Sequence, residues 1–172
     1  MIENKIEKQA FTYPFLFRII FRYGNIIVTP VLIVYLIPLY YSLDGKPIMA
    51  FPLLINLAII YFLNRHYFNL YKILPYKIEA DNDRIVCSKY FASNRETIIY
   101  YNDISSLSGG IFEDKISGLM KVCDGKNDVC IGFYQRLNNS GKLATILLSK
   151  VNRDIYDNVL ERIKSRKGKV IK

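Results

Sequence analysis

The chain has 172 residues, with 24 Lys and Arg against 15 Asp and Glu, for a net charge of +9. Hydrophobic residues make up 51% and charged residues 23%, a balance that excludes intrinsic disorder. Three cysteines are too few for a small fold framed by disulfides, and the length suits one ordinary domain or a small domain with an appendage.

Taken in chain order, residues 11–22 read FTYPFLFRIIFR. Arg18 and Arg22 lie four apart and share a helical face. Two readings stay open: a separate interfacial helix, or a longer, tilted first helix whose arginines snorkel to lipid headgroups. Residues 23–43 then carry no Asp, Glu, Lys, Arg or His over 21 positions. A helix of that length spans about 30 Å, the thickness of a bilayer's hydrocarbon core. After the polar break Asp44-Gly45-Lys46, residues 47–64 give 18 more uncharged positions. Two buried helices of a water-soluble protein are the competing reading, but such helices rarely run this far without a charged face. The first run is too long for a cleaved secretion signal, and no small-residue cleavage site follows it.

So short a break forces a helical hairpin with both outer ends on one side. Lys5, Lys8, Arg18 and Arg22 precede the first run, Arg65, Lys72 and Lys77 follow the second, and the turn offers only Lys46 beside Asp44. This asymmetry predicts cytoplasmic termini, and reduced thiols would suit that compartment. Pro30, Pro38 and Pro52 are tolerable in membrane helices whose neighbours satisfy the freed carbonyls. Asn25 and Asn56 are the expected helix–helix contacts. With no ionisable residue inside either run, a transport pathway has no proton relay or ion ligand. Tyr23, Tyr40, Tyr41, Tyr61 and Tyr67 cluster near the boundaries, as an interfacial aromatic belt would.

Beyond Pro75 the period changes. Residues 76–80 and 84–90 flank Asp81-Asn82-Asp83 and predict a hairpin. Residues 97–104, TIIYYNDI, predict a third strand, and a short strand is expected near Ile111 and Phe112. Residues 119–124 and 128–134 flank Gly125-Lys126-Asn127, and pairing Val122 with Ile131 sets Met120 opposite Phe133. Another strand is expected over residues 143–148. Ile155, Val159, Leu160 and Ile163 form a helical stripe between about residues 152 and 166, with Asn152 as N-cap and Asp154 in the first turn. The expected fold is therefore α+β. An N-terminal two-helix transmembrane hairpin precedes six or seven antiparallel strands, arranged as a bent sheet, sandwich or partial barrel with a C-terminal helix. The corresponding division is 1–22 as a cytoplasmic or interfacial segment, 23–64 as the hairpin, 65–75 as a juxtamembrane linker, 76–166 as the sheet domain and 167–172 as a basic tail.

TIIYYNDISSL in the third-strand position and LLSKVNRDIYDNVLERI entering the last helix complete a pattern covering about residues 23–163. That pattern resembles the pleckstrin-homology-like domains of bacterial membrane proteins, in which two transmembrane helices precede the domain. The resemblance implies a scaffold at the inner membrane, with its sheet domain in the cytoplasm, that contacts protein or lipid and is not an enzyme. Phosphoinositide binding, known in eukaryotic members, needs basic residues around the first hairpin loop. Here Asp81 and Asp83 put negative charge at that tip, with only Lys77, Arg84 and Lys89 nearby.

The chemistry-bearing residues do not converge. Cys123 and Cys130 flank a turn, and a disulfide is sterically conceivable. In a reducing compartment, small half-buried strand residues are the expected reading, for Cys87 as well. Zinc needs about four ligands, and the single His66 lies far along the chain from all three cysteines. The same distance disfavours Ser-His-Asp or Cys-His catalysis. Glu113-Asp114 and the Asp81/Asp83 pair fall in turns, and Ser108-Gly109-Gly110 lacks the lysine and helix of a phosphate loop. No cofactor, metal or small-molecule substrate is expected, and without aromatic or glycine motifs neither is nucleic acid.

The remaining signal is charge. Arg162, Lys164, Arg166, Lys167, Lys169 and Lys172 form an acid-free run. With Arg18, Arg22 and Arg65 they are the candidate contacts to the membrane interface and anionic lipid. The expected partners are the bilayer and other membrane-protein subunits, the chain serving as a regulatory or accessory component. An anionic-lipid sensor working through the tail is the alternative, and a part of a membrane enzyme or transporter is the third reading.

Overall fold

The structure, a computed structural model, describes residues 8–43, 47–115 and 117–170, with side chains described through Ser165. The chain divides into two compact units, Arg18–Lys72 and the combination of Met1–Phe17 with Ile73–Lys172.

The first unit is the greater part of two long helices, α1 (Phe15–Tyr41) and α2 (Ala50–Ile73), the latter led by a single 3-10 turn, Pro47–Met49. Residues 11–22 thus form no separate helix. Phe11 and Thr12 belong to a strand, and α1 runs unbroken from Phe15 through Pro30 and Pro38. At 27 residues, α1 is about 40 Å long. Both helical segments are long and apolar enough to cross a membrane. Their burial is the reverse of a soluble helix pair. Asn25 is the only buried residue in α1, and Asn56 and Leu70 are the only ones in α2, while Ile, Leu, Val, Phe and Tyr side chains stand outward.

The second unit carries two antiparallel sheets. The first has the order β1-β2-β3-β4, from β1 (Gln9–Thr12), β2 (Lys77–Ala80), β3 (Arg84–Ser88) and β4 (Thr97–Tyr100). Phe11, Ile78 and Cys87 align across three of these strands, and Ala80, Ile85 and Ile99 align beside them, a buried apolar patch flanked on the same face by half-buried Gln9 and Thr97. The second sheet has the order β5-β6-β7, from β5 (Ile104–Ser108), β6 (Leu119–Asp124) and β7 (Val129–Tyr134). Val122 pairs with Ile131 and Met120 with Phe133, as alternation predicts, and Leu107 extends the same buried face. The sheets stay separate and do not close into a barrel.

Three expectations fail locally, each for a visible reason. TIIYYNDI is not one strand. A 3-10 turn at Tyr101–Asp103 divides it, sending β4 to one sheet and β5 to the other. The buried residues Ile99, Tyr101 and Ile104 show the break, because their spacing changes from two to three. Ile111 and Phe112 lie in a 3-10 turn, Gly110–Glu113, entered through Gly109 at φ 73°. A side chain at Gly109 would meet the Leu119 carbonyl oxygen at 2.1 Å, so the turn requires glycine. Finally, residues 143–148 belong to a helix, α3 (Ser140–Lys150), rather than a strand. Four of its five buried residues, Ser140, Leu143, Ala144 and Leu147, follow the i, i+3, i+4, i+7 pattern. The last helix, α4 (Arg153–Val170), runs past the expected end near Arg166.

Tyr13 joins the N-terminal segment to the rest of this unit. It is 1% exposed, its hydroxyl accepts a bond from the Tyr134 N–H at 2.9 Å, and its ring meets Tyr76 edge-on. Next to it, the Thr12 carbonyl accepts a bond from the Asn138 N–H at 3.0 Å. The β6–β7 turn is organised by Asp124, which is 2% exposed. Its carboxylate accepts bonds from the Lys126 and Asn127 N–H groups and from Asn127 Nδ2. Burial alone would raise the Asp124 pKa, but these donors together outweigh it and hold the pKa below the ordinary range.

A group whose pKa is lowered on folding stabilises the fold above its unfolded pKa, about 3.9, and loses that contribution as pH falls through the folded value. Asp124→Asn should therefore lower the thermal midpoint of the sheet unit at pH 7, and the gap to the native chain should shrink at acid pH as the native carboxyl takes up its proton. Circular dichroism melts of the full chain in detergent, repeated across pH, measure this. An equal gap at both pH values would refute the charge argument.

Candidate functional site

Within the hairpin unit, polar side chains gather on the seam between α1 and α2. Asn25 Nδ2 donates to Asn64 Oδ1 at 3.0 Å. Asn64 Nδ2 in turn donates to Thr29 Oγ1 at 3.0 Å and to the Ile60 carbonyl at 2.9 Å. The Tyr71 hydroxyl lies 2.8 Å from Asn25 Oδ1 and 3.0 Å from the Arg22 carbonyl, one donor between two acceptors. About 12 Å nearer the turn, Asn56 Nδ2 donates to the Leu32 carbonyl at 3.4 Å. Both asparagines singled out in the sequence therefore bond across the hairpin.

Asn64, Thr29 and Tyr71 are further members of this network that the uncharged-run argument passes over. That argument ends the second span at Asn64, whereas α2 continues to Ile73 and makes Asn64 interior. The available signal is the spacing Asn64, Tyr67, Tyr71, which is i, i+3, i+7 on one helical face. Gly24 belongs to the same seam. A side chain there would meet the Tyr67 hydroxyl at 2.2 Å, so the small residue admits the ring.

The candidate cations separate into groups. Arg18 and Arg22 are half-buried in α1, and the Arg22 guanidinium lies 5.4 Å from the centre of the Tyr23 ring. Arg65 is exposed on α2 and donates to the Tyr61 hydroxyl at 3.0 Å. In the sheet unit, Arg162 donates to the Leu107 carbonyl at 3.0 Å, tying α4 to β5. Lys164 is exposed. Arg166, Lys167 and Lys169 lie on the continuing α4 backbone, beyond the described side chains, and Lys172 lies outside the described residues.

The cysteines depart from expectation. Cys123 and Cys130 are directly opposed in the β6–β7 register and are joined by a disulfide, where reduced thiols were expected. The register is the reason: the six-pair ladder that aligns Val122 with Ile131 also aligns the cysteines on the opposite face. Cys87 is free and buried, and burial raises its thiol pKa, which suits an inert core residue. His66 is exposed on α2 with its ring edge-on to Tyr67. Among the described residues no group of three His, Cys, Asp or Glu is placed to hold a metal ion. Comparison with family models, with curated proteins and with solved structures returned no match.

Replacing Asn64 with leucine deletes the link between Asn25 and Thr29. In a membrane environment the loss should be about 0.6–2 kcal/mol of hairpin stability, seen as a lower midpoint in a denaturing-detergent titration. Asn69→Leu, on the exposed side of α2, should leave the midpoint in place. Equal effects at both positions would show that the network does not hold the helices together.

Proposed function

We propose that the chain is a membrane-anchored interaction module, an accessory or regulatory subunit that holds its sheet unit beside other proteins of the cytoplasmic membrane. The observation that carries this reading is the reversed burial of the hairpin, with amides inside and aliphatic side chains outside. An outward apolar surface of that extent needs lipid or protein around it. The basic residues at the outer ends of the helices, against the single lysine of the turn, argue for cytoplasmic termini. The β1–β2 pairing supports a hairpin whose ends share one side, because Thr12 and Lys77 are partners in the ladder just before α1 and just after α2.

Tethering is the mechanism. A module fixed at the bilayer meets membrane partners at a high effective concentration without needing strong contacts of its own. The outer strands β1 and β4 leave backbone groups along the edges of their sheet, and strand addition is a common use of such edges. Two antiparallel sheets followed by a final helix are compatible with the pleckstrin-homology-like reading. Non-enzymatic function remains part of the proposal. The exposed cations Arg153, Arg162 and Lys164 on α4 favour the lipid-sensor alternative.

Purification of the full chain from its own membrane in mild detergent tests the choice. The module reading expects co-elution in an assembly well above the monomer, unchanged when Lys164, Arg166, Lys167 and Lys169 are replaced by glutamine. A lone monomer whose association with anionic vesicles is lost on that replacement would favour the lipid sensor instead.

A further inference from the structure

The disulfide is an anomaly if the sheet unit faces the cytoplasm. Disulfides in reducing compartments are seldom permanent staples; they are mostly transient, catalytic or redox-sensing. The β6–β7 hairpin also has little need of a staple. Its ladder has six aligned pairs, one face is packed through Val122, Ile131, Met120 and Phe133, and Asp124 fixes the turn. The bond closes a loop with a sequence separation of only seven, among the smallest entropy gains a disulfide can give.

Its position suits chemistry better than architecture. Cys123 and Cys130 project from the face opposite that packed core. Cys130 is exposed and Cys123 half-buried. Lys121, exposed and two residues from Cys123 on the same face, puts positive charge beside a departing thiolate. The two Cα atoms lie 4.1 Å apart, held there by the ladder on either side, so the sulfurs stay in reach of each other whether or not they are bonded.

We propose that Cys123 and Cys130 form a reversible thiol–disulfide exchange site that takes a soluble dithiol as reductant and a small disulfide as oxidant. This rests on the cytoplasmic orientation proposed above. In the reducing direction, a thiolate of the dithiol attacks Cys130 Sγ, the sulfur of the more exposed residue. The Cys123–Cys130 bond breaks, and Cys123 leaves as a thiolate that takes a proton from water. The second thiol of the reductant then attacks its own sulfur in the mixed disulfide and releases Cys130 as a thiolate. The dithiol becomes a disulfide, and two electrons have entered the pair. In the oxidising direction, the Cys130 thiolate attacks a small disulfide and expels one of its thiols. Cys123 then closes the bond and expels the other. The preformed ladder lets the pair open and close without refolding the hairpin.

The test counts thiols in intact cells that make the full chain. Cells are quenched in acid, the protein is denatured, and free thiols are tagged with a polyethylene-glycol maleimide that shifts the gel band once per thiol. Buried Cys87 always contributes one tag. The exchange site predicts three tags at rest, one after dithiodipyridine, a membrane-permeant disulfide, and three again once the cells have recovered. Cys123→Ser/Cys130→Ser should give one tag throughout. A constant single tag in the native chain, even after a permeant reductant, would make the bond a fixed staple and overturn the proposal. Three tags that persist through the oxidant would overturn it as well. A C-terminal epitope, read with and without permeabilisation, tests the orientation separately. Detection without permeabilisation would overturn the cytoplasmic reading, whereas the tag count alone decides the exchange site.

Discussion

A polar group placed in hydrocarbon must find its partner inside the protein, because no water is there to replace it. In the membrane reading proposed above, that constraint orders the hairpin unit. The aliphatic side chains of α1 and α2 carry no polar atoms to satisfy, so they stand outward. The amides of Asn25 and Asn64 bond to one another on the seam between the helices, and Asn56 bonds there through Nδ2 alone, its buried Oδ1 without a partner among the described residues. Helix association in lipid gains little from the hydrophobic effect, so small residues and a few hydrogen bonds carry it. Gly24 under the Tyr67 hydroxyl and the chain from Tyr71 through Asn25 and Asn64 to Thr29 are this chain's version of that rule.

The sheet unit obeys the opposite rule. There aliphatic and aromatic side chains are buried, and the buried polar groups find backbone partners: Asp124 accepts from the Lys126 and Asn127 N–H groups, and the Ser140 hydroxyl donates to the Gln135 carbonyl. The two units are woven in sequence, since β1 precedes the hairpin and its partner β2 follows it. The hairpin is therefore an insertion between two paired strands. A piece of the chain starting at β2 would lose Phe11, Tyr13 and one edge of the first sheet, so the sheet unit is not the C-terminal half alone.

What could be read in the sequence follows how local each signal is. The uncharged runs show the helices because a charge-free stretch of span length is a signal read residue by residue. The β6–β7 register was legible because alternation on both strands admits one pairing that buries Met120, Val122, Ile131 and Phe133 together. Residues 9–12 offer too short a pattern, and β1 exists because β2 supplies a partner far along the chain. α3 resembles a strand in the sequence because residues 143–148 form a dense apolar run, while Ser140, which completes the helical period, is polar in composition but buried in place. The break at Tyr101 comes from tertiary bonds: its hydroxyl donates to the Asp81 carbonyl and its N–H to the Asp83 carbonyl. A reducing compartment argues against the cysteine bridge, whereas strand register is what joins it. Asn64 is hidden as a seam residue because its own charge-free run ends on it, while α2 continues to Ile73.

Removal from the bilayer without detergent tests the central claim most directly. Membranes from cells making the full chain are washed in alkaline carbonate, which strips peripheral proteins, and then floated on a density gradient. A lipid-embedded hairpin requires the chain to float with the bilayer and to be released only by detergent. Recovery of the chain in the wash as a water-soluble monomer would contradict it.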